Sequence, residues 1–297
     1  MGEALIDIII DQRGEVTSVV GGAPLNTART IARLGEQASF IGGISQDSFG
    51  RRITRELVSD GVKLGIERPM SEPSTVALAS LDNSGAASYR FLMEGTAASS
   101  VTVEQAMRAF DLEARALHVG TLALVLSPLI HAVCSVIDSM GNQQILMVDP
   151  NARPAVMTDS TLFDQTLQHA LGRADLVKVS GDDLEFLYPG TDPVVAARRL
   201  HDSRKTSILF TDGSKAVRIY VQGSEILLDV PEVSVVDTVG AGDSFSGGFL
   251  TYWVQQGWTR ADCSDAAKVE AAARFGIKVA GLTCQKSGAQ PPFAHEL

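Results

Sequence analysis

The chain has 297 residues, 45% hydrophobic and 20% charged, with apolar residues spread along its whole length; this supplies a sizeable core and excludes a linker or a disordered tail. Lys and Arg number 25 against 35 Asp and Glu, a net charge of −10, and no run exceeds two adjacent basic residues, which argues against a nucleic-acid surface. Three widely spaced cysteines, Cys134, Cys263 and Cys284, and a start, MGEALIDIIID, without the basic region of a signal peptide lead us to expect a reducing, cytoplasmic setting.

The periodicity predicts a helix over 24–34, with Pro24 early and Gly35 past its end, then a short strand over 38–41. Asp47 or Ser48 caps a second helix running to about Asp60, where Gly61 suits a left-handed end. Residues 75–93 do not alternate with helix: two strand-like runs, TVALASLD and AASYRFLM, flank the turn sequence Asn83-Ser84-Gly85. With the polar excursion over 11–19 they are expected to form a small β flap. Residues 116–137 carry no Asp, Glu, Lys or Arg, enough to span a bilayer, but His118, Gly120, Ser127, Pro128 and His131 divide them into a buried strand and a buried helix, so no membrane partner is expected.

Alternation then continues: strand 116–119, helix 128–140, strand 144–148, helix near 160–171 and strand 176–179. A strand at 206–210, a hairpin over 216–221 and 225–230, and helices near 242–256 and 261–280 complete the chain. This order predicts one α/β domain over 1–297, a mostly parallel central sheet with helices on both faces and an appended flap.

VDTVGAGDSFSGGF, at 236–249, is the most informative stretch. Its bland reading is a tight turn and a closely packed helix, since Gly247 and Gly248 inside a helix cost about 0.5–1 kcal/mol each unless something approaches the backbone. The sharper reading is an anion cradle, in which the N–H groups of Gly240, Ala241 and Gly242 and the helix dipole face a phosphate. A carboxylate there, Asp243, would repel that phosphate unless it takes a proton from the attacking group. A Walker A loop, a Rossmann glycine fingerprint and a nucleophile elbow all fail on spacing.

The second glycine cluster, Gly21 and Gly22, precedes Asn26 one residue into a helix, and Asp7 ends an apolar run where parallel sheets put ligand groups. A carboxylate and an amide together suit sugar hydroxyls.

These residues resemble the ribokinase-like, or PfkB, sugar kinases. DTVGAGDSFSGG is similar to the C-terminal signature of that family, and GGAPLNTARTIARLG with FIGGISQDSFGRRI to the N-terminal one. GEALID, DPNARP, KVSGDDLEFL and LTCQKSGAQPP follow in the family's order, and GEALID, GGAP-x-N and DPN-x-RP most resemble bacterial fructokinases. The resemblance implies an ATP- and magnesium-dependent transfer of phosphate to a primary hydroxyl of a small sugar, fructose first. The alternatives are a nucleoside kinase, a ketodeoxy sugar acid kinase with Arg153 on the carboxylate, and a catalytically silent sugar-binding protein on the same fold.

By the same resemblance, Asp243 is the base, Gly240 to Gly242 hold the phosphate, and Asp7, Gly22, Asn26 and Arg153 face the sugar. Ser180 and Asp183 match the element that organises magnesium through water, and Thr211 and Gly213 lie in the nucleotide segment. Asp237, with carbonyls of Val239, Thr283 and Gly288, matches a monovalent-cation loop suited to potassium. Leu126 stands where ribokinases carry a sugar-binding Glu, which counts against ribose. The flap matches the family's β lid, implying a homodimer through it.

Overall fold

The computed structural model describes residues 1–81, 87–157 and 159–297, with side chains given outside 80–89. The expected turn at 83–85 lies outside the described residues. The first half runs β1 (Leu5–Ile10), β2 (Val16–Gly21), α1 (Ala23–Arg33), β3 (Ser39–Phe40), α2 (Ser48–Ser59), β4 (Lys63–Leu64), β5 (Thr75–Leu81), β6 (Ala87–Leu92) and α3 (Val103–Ala109). The second runs β7 (Ala116–Gly120), α4 (Leu129–Ser139), β8 (Ile145–Asp149), α5 (Ser160–Arg173), β9 (Leu176–Ser180), α6 (Gly181–Leu187), α7 (Pro193–Arg204), β10 (Ser207–Thr211), β11 (Val217–Val221), β12 (Ser224–Leu228), α8 (Ala241–Gln255) and α9 (Ala266–Cys284).

The larger sheet has the order β12-β11-β10-β9-β8-β7, parallel from β7 to β10 and antiparallel through the hairpin. One face buries Leu117, Val119, Leu146, Val148, Val177 and Val179 against α4, α5, α6 and α7. The other buries Met147, Leu176, Leu209 and Ile219 against Phe245, Phe249 and Trp253 of α8 and Val269 and Ala273 of α9. Strands covered on both sides have no polar alternation, which is why LVKVS and ILMVD read as short apolar runs.

The smaller sheet, β2-β1-β5-β6, corrects one expectation. β1 pairs antiparallel with β2 and parallel with β5, so the flap is built on β1 as well and the first strand stays out of the central sheet. Asp7 is accordingly in mid-strand, opposite Val19 and Ala77, and not at a strand end. Ile6 and Val20 on one face pack onto α1 and α2 with Leu25, Ile53 and Leu57; on the other, Leu5, Ala77 and Phe91 meet Leu122, Leu126 and Val156. The strand expected at 38–41 shortens to β3, which among the described residues pairs with β4 alone. No described helix is long and apolar enough to cross a membrane.

The paired glycines of α8 have the packing reason that their cost demands. A Cβ on Gly247 would lie 2.5 Å from Thr30 Cβ of α1, and one on Gly248 would lie 2.9 Å from Val279 Cγ2 and 3.2 Å from Gly276 Cα of α9. α8 is therefore held between two helices at glycine distance. Gly247→Ala should cost about 1–3 kcal/mol by overpacking, read as a lower urea midpoint. An unchanged midpoint would mean that α1 and α8 can separate freely.

Candidate active site

The C-terminal ends of β7 to β10 converge with the N-termini of α1 and α8. Gly240 takes a left-handed conformation (φ 78°) as N-cap of α8, and the Ala241 N–H turns back to the Thr238 carbonyl at 3.2 Å. Among the described residues, the N–H groups that meet no protein acceptor here are those of Gly240 and Gly242, two of the three expected donors, and of Asp243. They lie at the positive end of a 15-residue helix.

Asp243 is half-buried, one residue before a fully covered stretch. Its Oδ2 accepts from Asn26 Nδ2 at 2.8 Å, and its backbone carbonyl accepts from Thr27 Oγ1 at 3.3 Å. Burial lifts its carboxyl above the ordinary range, against the Asn26 hydrogen bond and the charges of Lys178 and Arg153. Asn26 is 5% exposed and its Oδ1 has no donor, so a buried acceptor stands beside the carboxylate. The GEALID motif supports this helix start from below. Gly22 has φ 117°, and a Cβ there would lie 2.6 Å from the Glu3 carbonyl oxygen, so only glycine fits; Glu3 Oε1 accepts from Ala23 N at 3.3 Å. Burial pushes the Glu3 carboxyl up to about 8.

Asp7 shares this electrostatic neighbourhood. Burial pushes its carboxyl up to about 6, Arg153 opposes the rise, and Asp243 adds to it. The exposed Arg153 donates to the carbonyl of Ala152 at 3.0 Å, on a loop held by the Ala152 N–H to Asp183 Oδ1 bond at 2.6 Å. Asp183 Oδ2 accepts from Ser180 N and Ser180 Oγ, both at 2.7 Å, completing a capping box at the start of α6. With both oxygens occupied and 2% exposure, Asp183 ties the two strand ends together.

Two residues of this site carry no role in the sequence reading. Lys178 and Asp149, neighbours on β9 and β8, are 5% and 1% exposed with Nζ 3.1 Å from Oδ2. Among the described residues the Asp149 carboxylate has no other polar partner, and burial pushes its pKa up to about 6 against the pull of Lys178. Burial alone would lower the Lys178 ammonium; Asp149, Asp183 and Asp243 outweigh it and hold it above its ordinary value. A Cβ on Gly242 would lie 2.9 Å from Lys178 Nζ, so this ammonium lies directly beneath the cradle. Nearby, Thr121 and Asn151 both have positive φ (53° and 39°) and are joined by Asn151 Nδ2 to Thr121 Oγ1 at 2.8 Å, strain of about 1–3 kcal/mol each gathered at the strand ends.

Thr211, at the end of β10, donates to the Val179 carbonyl at 3.4 Å, and Gly213 (φ 59°) turns the exposed loop after it. Asp237 accepts from Val239 N at 3.0 Å and Gly288 N at 2.8 Å, bringing three of the four expected cation-loop residues together. The carbonyl of the fourth, Thr283, accepts from Lys286 N at 3.0 Å while its hydroxyl donates to Ser244 Oγ at 2.9 Å, and the neighbouring Cys284 carbonyl accepts from Asp237 N at 3.2 Å. A cavity of about 530 Å³ lies at the N-terminal ends of β8, β9 and β10, where Asp175 engages Arg173 and Arg260, at the opposite end of the strands from these groups.

The sequence and fold of this chain have known counterparts. The model of the pfkB family of carbohydrate kinases matches residues 1–296. A fructokinase of Rhizobium leguminosarum bv. trifolii is 32% identical over 255 residues, 84% of this chain and 77% of that protein. A crystal structure of a Xylella fastidiosa fructokinase with bound ATP superposes with a TM-score of 0.84 at 25% identity, covering 97% of this chain and 92% of the other. A double mutant of the Vibrio cholerae O395 fructokinase, in a form bound to fructose, ADP and potassium ion, gives 0.83 at 25% identity with the same coverage. With its ribokinase-like α/β fold and a family match along almost its full length, the chain belongs to the pfkB family of carbohydrate kinases, ATP-dependent enzymes that phosphorylate sugars.

Proposed function

We propose that this sugar kinase acts on fructose, with Asp243 taking the proton of a primary hydroxyl as that oxygen attacks the γ-phosphorus of ATP. The bond to the bridging oxygen breaks, ADP leaves, and the N–H groups of Gly240, Gly242 and Asp243 hold the transferring oxygens. The observation that carries this reading is the Asn26–Asp243 contact at the mouth of α8: one side chain orients the base while offering its free Oδ1 to a sugar hydroxyl. Asp7, facing the same space as Ala77 and Phe91 in register, supplies a second acceptor. Leu126, half-buried with Phe91 and Leu122, makes an apolar wall that suits fructose better than ribose.

Thr211, Gly213 and the exposed Val235, Val236 and Val239 offer the nucleotide a polar loop and an apolar surface for its base. Magnesium, supplied with the nucleotide, would neutralise phosphate charge; Asp149, whose oxygens have only Lys178 for company, fits its water shell better than the fully engaged Asp183. The Asp237 loop suits potassium, the ion bound by the Vibrio relative, and it would steady the turn that presents Gly240. The sheet β2-β1-β5-β6 is proposed as a lid over the sugar, with the exposed Val16 and Leu92 on its outer strands available to a second copy of the chain.

An acidic sugar would meet Asp7, Asp149 and Asp243 with Arg153 and Lys178 as the opposing cations, and Lys178 is already paired with Asp149, an unfavourable balance. Competition kinetics with fructose, ribose, ketodeoxygluconate and adenosine should therefore give fructose the highest kcat/KM. A tenfold preference for the acid or the nucleoside, about 1.4 kcal/mol in the transition state, would overturn fructose and leave the chemistry at Asp243 standing.

A further inference from the structure

Arg29 and Arg33 lie on the face of α1 that carries Asn26, one and two turns further along. Arg29 is 2% exposed; its Nε donates to Asp60 Oδ2 at 2.6 Å, and its Nη1 lies 3.7 Å from Glu56 Oε2 and donates to the Ala289 carbonyl at 3.3 Å. Arg33 Nε lies 2.9 Å from the other oxygen of Asp60, while Nη1 donates to the Pro291 carbonyl at 2.8 Å and Nη2 to Gln290 Oε1 at 3.2 Å. The guanidinium also sits 4.6 Å from the centre of the Phe293 ring. One carboxylate at the end of α2 thus anchors two guanidinium forks, and both forks grip the segment 289–291.

That segment presses on the phosphate cradle. Ala289 is 6% exposed, and a Cβ on Gly240 would lie 2.6 Å from Ala289 Cβ and 3.0 Å from its Cα. Gly288, just before it, donates to Asp237. Burying two arginines is a poor way to gain stability, because desolvation offsets most of the attraction, whereas planar forks fix positions well. A simple apolar contact would hold a tail down; the forks also fix where it lies along α1.

We propose that Arg29, Arg33 and Asp60 are positioning residues for phosphoryl transfer: they hold Ala289 against Gly240 and so set where the N–H groups at the start of α8 point. The inference rests on the role proposed above for Gly240 and Asp243. α1 then orients the base through Asn26 and the cradle through Arg29 and Arg33, so one rigid helix sets both halves of the reaction.

The test is steady-state kinetics of Arg33→Met, Arg33→Lys, Ala289→Gly and the Arg33→Met/Ala289→Gly pair, each checked for folding by circular dichroism and a urea midpoint. Arg33→Met and Ala289→Gly should each lower kcat about tenfold or more, since displacement of a positioned group by an ångström costs up to about a hundredfold, with sugar KM nearly unchanged. The pair should fall no further than the worse single variant, because both act through one contact. Arg33→Lys should regain folding stability through Asp60 but not kcat, because an ammonium cannot grip both carbonyl and amide. Ala289→Gly leaves every charge in place, so it decides the matter if Arg33→Met fails to fold. Wild-type kcat in folded Arg33→Met or in Ala289→Gly, full rescue by Arg33→Lys, or losses that multiply in the pair would overturn the proposal. Should Asp243→Asn instead keep its turnover, the reading beneath it falls; should Asp243→Asn lose turnover while Arg33→Met keeps it, the clamp alone falls.

Discussion

Asp243→Asn should lose about 10²–10⁴ in kcat, the usual worth of a positioned general base, while becoming more stable at neutral pH. The amide is isosteric and can still accept from Asn26 Nδ2, so the site keeps its shape. Stability rises because burial raises the Asp243 pKa above its unfolded value. A group shifted upward contributes its stability below the unfolded pKa and loses it as pH climbs through the folded one, so the ionised carboxylate is a burden at pH 7. The Asn variant sheds that burden, and its advantage over the wild type should vanish in acid below the ordinary carboxylate range. Wild-type kcat should fall on the acid side as Asp243 takes up a proton, at a pH above that range, and the residual activity of the variant should lack this limb. More than a tenth of wild-type turnover with chemistry rate-limiting, or a variant less stable at neutral pH, would remove Asp243 from its role.

How far such a site can be read in advance depends on whether its parts are local. The helix predicted over 24–34 is found at Ala23–Arg33, and Asp47 caps α2 through its bond to Gly50 N, because caps, Pro at a helix start and 3.6-residue spacing are all short-range signals. The glycines of the 236–249 stretch are equally legible, since each replaces a side chain that would collide. α7 is absent from the expected order although its Asp192-Pro193 start is a strong local signal: Asp192 Oδ1 accepts from Val194 N and Val195 N. α6 begins on a glycine and spans seven residues, too short for periodicity to show.

The misses at the site are matters of pairing. Asp7 ends no strand, because β1 finds its partners in β2 and β5, a choice that no window around residue 7 contains. Lys178 is a lone cation in the middle of the run LVKVS, and Asp149 closes ILMVD; neither alone points to a buried ion pair. Only the parallel neighbours β8 and β9 put them side by side, with 3.1 Å between charges. The usable hint is positional: Asp149 stands at the C-terminal end of its parallel strand, where ligand sites collect. The positive φ of Thr121 has no such hint, as a β-branched residue is a poor candidate for that conformation.

Lys178→Met should unsettle both the fold and the chemistry, and the two losses can be separated. Removing the ammonium strands the buried Asp149 carboxylate beside Asp183 and Asp243, and breaking a buried pair from one side costs about 3–5 kcal/mol. Proton uptake by Asp149 limits that cost. Its folded pKa is already raised to about 6 with Lys178 present and rises further without it, so stability is retained below the unfolded carboxylate pKa and lost as pH rises through the folded value. Urea midpoints should therefore show a much larger deficit at pH 7.5 than at pH 5. Adding Asp149→Asn should recover most of the stability, since no charge is then left buried alone. Turnover should stay at least about a hundredfold below that of Asp149→Asn alone, the control for the carboxylate proposed beside magnesium, because the cation under Gly242 that offsets charge on the transferring phosphate is still missing. An equal deficit at both pH values would show that Asp149 is not the strained partner, and restored turnover in the double variant would reduce Lys178 to a counter-ion for Asp149.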